Sequence, residues 1–515
     1  MKRSARLKQL LWPDRYAFLA ALLGGLAVLG FAPFEFSPVA LLALAGLFWL
    51  WGRSTSRSQA FKYGLWFGLG QFGVGASWLF SSIYFYSDIG LIGSVLMVAG
   101  FVFVLALFPA LAGALGRYFY NPNRIGSSLI WVFPAAWVLL EWVRASILGG
   151  LPFMLMGTSH LGTWLDGYAS VFGVFGVSFV VAISAGLMVW FVQHKQTLPA
   201  ALLIAFIWPI GGVLQKTQWV TPVDEPIDVA LLQGNFSQDQ KWQSEQFVPM
   251  MRRYVGMTRA NLDADLIVWP ETAIPGYFDR AADTVLRQFI ADAQLQSRDI
   301  LVGTISREPD GSRYYNAMIN LRDLEQEYRK RHLVMFGEYY PLSGLIEPLA
   351  QKFGFPFSQF SAADQPQKPL TLGGQPAGVS ICFEMMFGAE LAKDLPHAKY
   401  FITTSNDAWF AHTFEPAQLL QEAQMRAREL GREIARATNT GHTAIIGVDG
   451  QIKARIPAYE AGVLRGQVQP YEGLTPYARW TNWPILIIVF GIFGFILGKR
   501  YAYTGKISNP FNRKK

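Results

Sequence analysis

A single cysteine, Cys382, is all the thiol that 515 residues contain. That excludes an internal disulfide and any cysteine-rich metal site. Histidine is almost as scarce. His160, His194, His332, His397, His412 and His442 fall at no ligand spacing, so no metal site is read and no cofactor is called for. Charge is short as well, at 16% against 52% apolar residues, with a mean hydropathy of +0.24. This balance is too apolar for a soluble enzyme of this length. Lys and Arg outnumber Asp and Glu by 44 to 36, yet no basic stripe is interleaved with aromatics, so nucleic acid is not expected as a partner. The basic and apolar N-terminus lacks a small-residue cleavage site and reads as a retained helix, not a removed signal.

The chain is instead rich in apolar runs. A bilayer-spanning helix needs about 17–25 residues. Such runs cover about 16–31, 37–52, 60–82, 90–116, 126–146, 168–193 and 198–215, and an eighth covers about 483–498. The first two are short and joined tightly at Ala32-Pro33-Phe34, as a hairpin that only just spans. Lys and Arg collect on cytoplasmic loops. Here they cluster at the N-terminus (Lys2 to Arg15), at Arg53, Arg57 and Lys62, at Arg117 and Arg124, at Lys195, and from Lys499 to Lys515. The first and third loops have none. The alternation predicts eight spans, both termini in the cytoplasm, and residues 216–482 outside. The expected domains are a membrane domain over 1–215, an outer α/β domain over 216–475, and a last span with a basic tail over 476–515.

At the outer end of the fifth span, Glu141 and Arg144 stand at i, i+3, a spacing that permits a helical ion pair. Either they close the helix end, or they form a polar floor under the outer domain that meets a lipid head group. Past Pro226, strand-like runs alternate with longer polar, helix-like stretches, which argues for α/β layers. Strands are predicted at 227–234, 266–269, 299–305, 315–321, 377–381, 400–404, 434–438 and 443–448, and helices at 241–264, 280–297 and 416–431. Residues 343–363 read as a long apolar loop, either packed on its own domain or serving as a lid that admits acyl chains.

Three segments carry candidate chemistry. ADLIVWPETAIP (264–275) delivers Glu271 just past an apolar strand. YRKRHLVMFGEYYP (328–341) places Lys330 in a strand-like run and Glu338 after a glycine turn. AGVSICFEMMF (377–387) puts Cys382 where a buried strand ends, with Phe383 and Glu384 following. A thiol at such a corner faces a cleft and can be activated by its neighbours. A Glu, a Lys and a Cys at the ends of separate strands can meet at one sheet edge.

In that order they resemble the nitrilase superfamily, whose catalytic triad is Glu-Lys-Cys. With seven apolar spans before the outer domain and one after it, the chain resembles the apolipoprotein N-acyltransferase family of Gram-negative bacteria. The motifs EWVRASILGGLP, LLQGNFSQDQKW, IVWPETAIP, ICFE, TTSNDAWF and MRARELGREIARATNTG carry the resemblance along nearly the whole chain. Two positions depart from it: Met335 stands where the family has Pro, and Phe383 where Tyr is common. The resemblance implies a four-layer αββα sandwich outside the bacterial inner membrane, in the periplasm. It implies a phospholipid acyl donor, a diacylglyceryl apolipoprotein acceptor and a monomer among membrane lipids. Glu271 is implied as general base, Lys330 with the Phe383 N–H as oxyanion donors, and Cys382 as the acylated nucleophile. Glu338 would orient Glu271 or Lys330, and Glu384 would line the acceptor side or hold the loop. Trp242 and Trp409 either gate the site, contact lipid or belong to the core. Two other readings stay open at this point: a tethered amidase using water as acceptor, and a transporter or scaffold with an inert outer domain.

Overall fold

The structure is a computed structural model that describes residues 13–147, 149–194, 197–340, 344, 347–348, 360–364, 366–410 and 412–507. The N-terminal helices are α1 (Arg15–Ala27), α2 (Ser37–Arg53), α3 (Arg57–Gly75), α4 (Leu79–Tyr86), α5 (Gly90–Phe119), α6 (Phe133–Ser146), α7 (Ala169–His194) and α8 (Thr197–Lys216). Side chains cap the first turns where the sequence supplies them. Asp14 accepts from the N–H groups of Tyr16 and Ala17 ahead of α1, and Ser56 accepts from Gln59 ahead of α3.

Small residues let these helices cross with their backbones almost touching, a device suited to packing without a hydrophobic driving force. A Cβ at Gly68 would lie 2.6 Å from Ala106 Cα of α5, and one at Gly70 would lie 2.0 Å from the Ala21 carbonyl of α1. Among the described residues, four helices are long and apolar enough to cross a membrane: Gly90–Phe119, Pro122–Ser146, Trp164–Gln193 and Trp483–Arg500. Arg15–Gly30, Ser37–Arg53 and Leu203–Lys216 are shorter apolar helices. The expected third span over 60–82 is not one helix. Helix α3 stops at Gly75, whose carbonyl accepts from Gln418 Nε2 at 3.1 Å, and Trp78 turns to donate to Gln418 Oε1 at 3.1 Å. Polar contacts from the later α/β part of the chain meet the end of that helix.

Two six-stranded sheets follow. In spatial order the first is β13-β2-β3-β4-β5-β6 and the second β12-β11-β10-β9-β8-β7. Their ranges are β2 (Ile227–Gln233), β3 (Leu266–Val268), β4 (Asp299–Arg307), β5 (Tyr314–Asn320), β6 (Glu327–Arg329), β7 (Leu370–Leu372), β8 (Gln375–Ile381), β9 (Tyr400–Ser405), β10 (Ile434–Thr438), β11 (Ala444–Ile446), β12 (Ile452–Arg455) and β13 (Gly462–Val468). A two-stranded ribbon, β1 (Val220–Pro222) with β14 (Tyr471–Gly473), ties the two ends of the unit together.

Each sheet mixes parallel and antiparallel pairs, and the central strands are apolar on both faces. Val229, Leu231, Leu266, Val268 and Leu301 meet Val379, Ile381, Ile402 and Ala435 between the sheets. The outer face of the first sheet packs on Met250, Tyr254 and Phe289, the first two from helix α9 (Ser244–Arg259). The outer face of the second packs on Leu420, Ala423, Ala427 and Leu430 of helix α10 (Glu415–Leu430). The layers are therefore helix, sheet, sheet, helix. Helix α11 (Trp483–Ile507) returns to the N-terminal helices, where Ile485, Val489 and Phe493 join their core.

Two expected helices are broken. The 241–264 stretch becomes a short turn at Gln238–Lys241 and then α9, and the 280–297 stretch divides into Phe278–Asp283 and Arg287–Gln294 around Thr284. Lys330 lies just past β6 rather than inside a strand. Most of the expected 343–363 loop lies outside the described residues.

Candidate active site

Glu271 reaches the site by a tight route. Trp269, fully buried, is fixed by its Nε1 bond to Thr258 Oγ1 at 2.9 Å. The chain then passes over Gly303, where a Cβ would lie 2.2 Å from the Pro270 carbonyl. Only glycine allows that approach. Both Glu271 oxygens are held: Oε1 accepts from Asn316 Nδ2 at 2.7 Å, and Oε2 accepts from the Asn406 N–H at 2.8 Å.

Lys330 is 1% exposed, and such burial is tolerable for a cation only with partners. Its ammonium lies 2.8 Å from the Glu338 carboxylate and 3.9 Å from Glu271 Oε1. Burial alone would lower its pKa, but the Glu338 and Glu271 carboxylates outweigh burial and hold it above its ordinary value. Glu338 is fixed in turn by the Val334 N–H at 2.8 Å and by Asn316 Nδ2 at 3.1 Å.

Cys382 follows β8 directly, with φ at +55°. This left-handed backbone is uncommon for a residue with a Cβ and marks a strained corner. Burial and the Glu271 carboxylate push the thiol pKa well up, against the pull of Lys330. Glu384 locks the corner to the lysine segment. Its Oε1 accepts from the N–H groups of Arg331 and His332 at 2.7 and 3.0 Å, and its Oε2 accepts from Ile381 N and Tyr328 Oη at 2.7 and 2.8 Å.

Cys382 and Phe383 line a cavity of about 140 Å³, walled by Phe31, Trp78, Phe101 and Phe153 from the helical part and by Met386 and Leu419 from the sandwich. One water needs roughly 10–15 Å³ on that measure, so this is room for an acyl segment. The Phe383 ring packs on Phe153 at 5.7 Å and on Phe387 at 5.1 Å.

The structure thus brings Glu271, Lys330, Glu338, Cys382, Phe383 and Glu384 together, and it sets the other four predicted residues apart. Among the described residues Glu141 and Arg144 form no ion pair with each other. Glu141 accepts from the Met156 N–H at 2.7 Å, and Arg144 donates to the carbonyls of Leu151 and Phe153 at 2.6 and 2.5 Å. Both are buried, so they hold the 151–156 segment that walls the cavity and are not a floor exposed to head groups. Trp242 is 53% exposed and does not line the cavity. Trp409 packs edge-on against Tyr86 of α4 at 5.1 Å, and its neighbour Phe410 reaches the cavity.

Sequence reasoning missed Asn316, whose signal is an amide in the middle of the apolar run YYNAMIN. It missed Asn406, which stands inside the quoted TTSNDAWF motif. It also missed Lys241, which donates to the Glu271 backbone carbonyl at 3.2 Å and whose burial lowers its pKa to about 7. His332 bridges the Gly149 carbonyl at 2.6 Å and Glu390 at 3.0 Å, joining the lysine segment to the helical part.

Comparison with known proteins agrees in both halves. The model for the apolipoprotein N-acyltransferase N-terminal domain matches residues 23–187, and the carbon-nitrogen hydrolase model matches residues 228–477. Apolipoprotein N-acyltransferase of Methylococcus capsulatus is 42% identical over 96% of this chain and 99% of its own length. The enzymes of that name from Nitrosomonas europaea and Coxiella burnetii are 36% and 34% identical, over 94% and 93% of this chain and 97% and 99% of theirs. Matched over more than nine-tenths of its length at such identities, the chain belongs to the apolipoprotein N-acyltransferase family.

Proposed function

We propose that this chain transfers a fatty acyl group from a membrane phospholipid to the α-amino group of the N-terminal diacylglyceryl-cysteine of apolipoproteins, the last step of lipoprotein maturation. Family membership supports the overall activity. The observation that carries the mechanism is the buried Glu271–Lys330–Glu338 cluster beside Cys382 at an apolar cavity.

The Cys382 thiol is disfavoured as a thiolate at rest, so a base must take its proton as it attacks. Glu271 is that base. The sulfur adds to the phospholipid ester carbonyl, and Lys330 with the Phe383 N–H stabilises the oxyanion. The lysophospholipid leaves with the proton from Glu271, and Cys382 holds the acyl chain as a thioester. The acceptor amine then attacks, Glu271 takes its proton, and the thiol is released from the amide, a ping-pong cycle. Thioesters undergo aminolysis more readily than oxygen esters, so the covalent step helps form the amide.

The apolar cavity walls favour a lipid acceptor over water. The finer topology belongs to the same proposal: eight spans, both termini in the cytoplasm of a bacterial inner membrane, and the sandwich in the periplasm, divided at about 215 and 475 and working as a monomer. Holding the site at the interface avoids lifting acyl chains into water, at about 0.8 kcal/mol per CH₂.

Intact-protein mass spectrometry after incubation with phospholipid tests the cycle. One acyl mass should be gained, removed by hydroxylamine, discharged by a diacylated lipopeptide, and absent in Cys382→Ala. Transfer by Cys382→Ala would refute the mechanism.

A further inference from the structure

Glu415 takes part in no step above, yet it lines the same cavity as Cys382 from the first turn of α10. Its side chain is 7% exposed, and its Oε2 has no hydrogen-bond partner among the described residues. The other polar side chains that α10 turns to this cavity are occupied. Gln418 binds Trp78 and Gly75, Gln421 accepts from the Ala32 N–H, and Glu422 Oε1 accepts from Thr158 while its Oε2, which makes no hydrogen bond among the described residues, forms an ion pair with Arg426 at 3.6 Å. The nearby guanidinium of Arg436 places its Nη2 on Asp407 and Ser405, at 3.2 and 3.1 Å, while its buried Nε and Nη1 have no hydrogen-bond partner among the described residues, and Arg436 does not line the cavity.

A buried carboxyl with a free acceptor is costly unless something arrives to use it. Burial, Asp407 and Glu271 raise its pKa well above its ordinary value, against the pull of Arg436. Glu415 shares the lining of this cavity with Cys382 and Phe383. An acceptor oxygen in a lipid-filled, dry site is matched best by a cationic N–H donor. The remaining walls are apolar and suit the chains that carry such a group.

We propose that Glu415 is a subsite for a primary ammonium group on a lipid-anchored substrate, bound within the cavity beside Cys382. The inference rests on the acyl-transfer reading and deepens it. Two sources present this chemistry: the α-amine of the acceptor, and the head group of an aminophospholipid donor. Glu415 pairs with the ammonium and sets the distance of its nitrogen from the thioester, or of its ester from the thiol; for the acceptor, the ammonium gives Glu415 one proton to become the attacking amine, and Glu271 takes the second as the C–N bond forms and passes it to the departing Cys382 sulfur. Glu271 remains the base.

The experiment uses the full chain in lipid nanodiscs and two ratios. The first, in a Cys382→Ala background that stops turnover, is the affinity for a diacylglyceryl lipopeptide with a free amine relative to its N-acetylated form. The second, with Cys382 present, is the acylation rate from phosphatidylethanolamine relative to phosphatidylglycerol. One charge-assisted bond predicts about a tenfold ratio, falling to within about twofold in Glu415→Gln and recovering in part in Glu415→Asp. Collapse of the first ratio assigns the acceptor amine, and collapse of the second assigns the donor head group. Both ratios unchanged in Glu415→Gln overturns the proposal, and so does a uniform loss of binding and rate that leaves both ratios intact. Failure of the acyl-transfer reading looks different, because Cys382 then takes up no acyl group with Glu415 in place.

Discussion

Replacing Asn316 by Asp exchanges one amide for a third carboxylate and tests whether Glu271 works as a base. The amide nitrogen lies 2.7 Å from Glu271 Oε1 and 3.1 Å from Glu338 Oε1, with Lys330 the cation between them. A carboxylate oxygen in its place would meet like charge at those distances. With an effective dielectric of about 20, the repulsions are about 6 and 5 kcal/mol, and one lysine cannot offset both. The cluster therefore keeps a proton that Glu271, Glu338 and the new group share, with an apparent pKa belonging to the set. At neutral pH the base is blocked, and acylation of Cys382 falls by about 10³-fold, within the range that general-base catalysis supplies. The rate recovers as pH rises through the raised value, one proton per tenfold. Stability moves the other way. A carboxyl whose folded pKa is raised contributes most below its unfolded pKa, near 4, and its contribution is lost as pH rises through the folded value. Asn316→Ala instead deletes two charge-assisted bonds worth about 1.5–3 kcal/mol each, slowing acylation without a new pH limb. Single-turnover acylation followed by mass spectrometry from acid to alkaline pH separates the two. If Asn316→Asp and Asn316→Ala share one pH profile, the reading of Glu271 as a base beside a crowded carboxylate cluster is wrong.

Other perturbations give different signatures. Lys330→Met leaves Glu271 and Glu338 facing each other without the cation that lies between them, so we expect a loss of about 3–5 kcal/mol in stability together with loss of the acyl-enzyme, read by thermal unfolding and mass spectrometry; unchanged stability would contradict the pairing. Glu384→Gln turns one acceptor oxygen into a donor that confronts two N–H or O–H groups whichever way the amide is placed. It should cost about 1–3 kcal/mol and slow acylation, whereas wild-type kinetics would show that the clamp on the cysteine corner is dispensable. For the free thiol, burial and Glu271 predict slow iodoacetamide labelling at neutral pH that keeps rising past the usual thiol pKa of about 8.5; a plateau below that value would mean a thiolate at rest. Glu271→Gln removes one raising influence, so its labelling curve should shift to lower pH even as acyl transfer is lost.

What was legible in the sequence is what depends on one segment at a time. Strand-ending positions for Glu271 and Cys382 follow from apolar runs that stop, and Glu338 and Glu384 sit within those same short segments. The register between strands was not legible. Asn316 matters because β5 pairs antiparallel with β4, Asn316 opposite Ile305, and because the Lys330 N–H donates to the Asn316 carbonyl at 2.9 Å. No local pattern records either fact. Glu141 and Arg144 show the same limit from the other side. Their i, i+3 spacing suggests a pair, but the returning 151–156 segment offers backbone groups that a helix interior cannot satisfy otherwise. The third apolar run reads as a single span because hydropathy does not see Gln418, 343 positions further on, capping Gly75.

Helix α10 explains why the two halves form one site. It packs Leu420, Ala423, Ala427 and Leu430 on the second sheet and buries Met425 in the core of the N-terminal helices. Its polar residues then bind membrane-side groups one by one. Arg428 pairs with Asp166 at 3.0 Å, Glu422 accepts from Thr158 at 3.1 Å, and Glu429 Oε1 accepts from the Val174 N–H at 2.6 Å. That last bond has a specific origin. Gly173 breaks α7 with φ at +69°, which frees the next N–H, and a Cβ there would lie 2.4 Å from the Tyr477 ring. In an apolar surrounding a freed backbone donor must find a partner inside the protein, and Glu429 supplies it. Buried ion pairs of this kind add little net stability, but removing one member leaves a buried charge unmatched. Sliding or hinging the sandwich over the helices would unmatch several at once. Opening the cavity by domain motion therefore costs several buried bonds at once, whereas side chains at its wall that carry none of them turn without that loss. Phe410, Phe383 and Met335 line the cavity and make none of these bonds, and the α10 contacts tie the sandwich that carries Cys382 to the N-terminal helices.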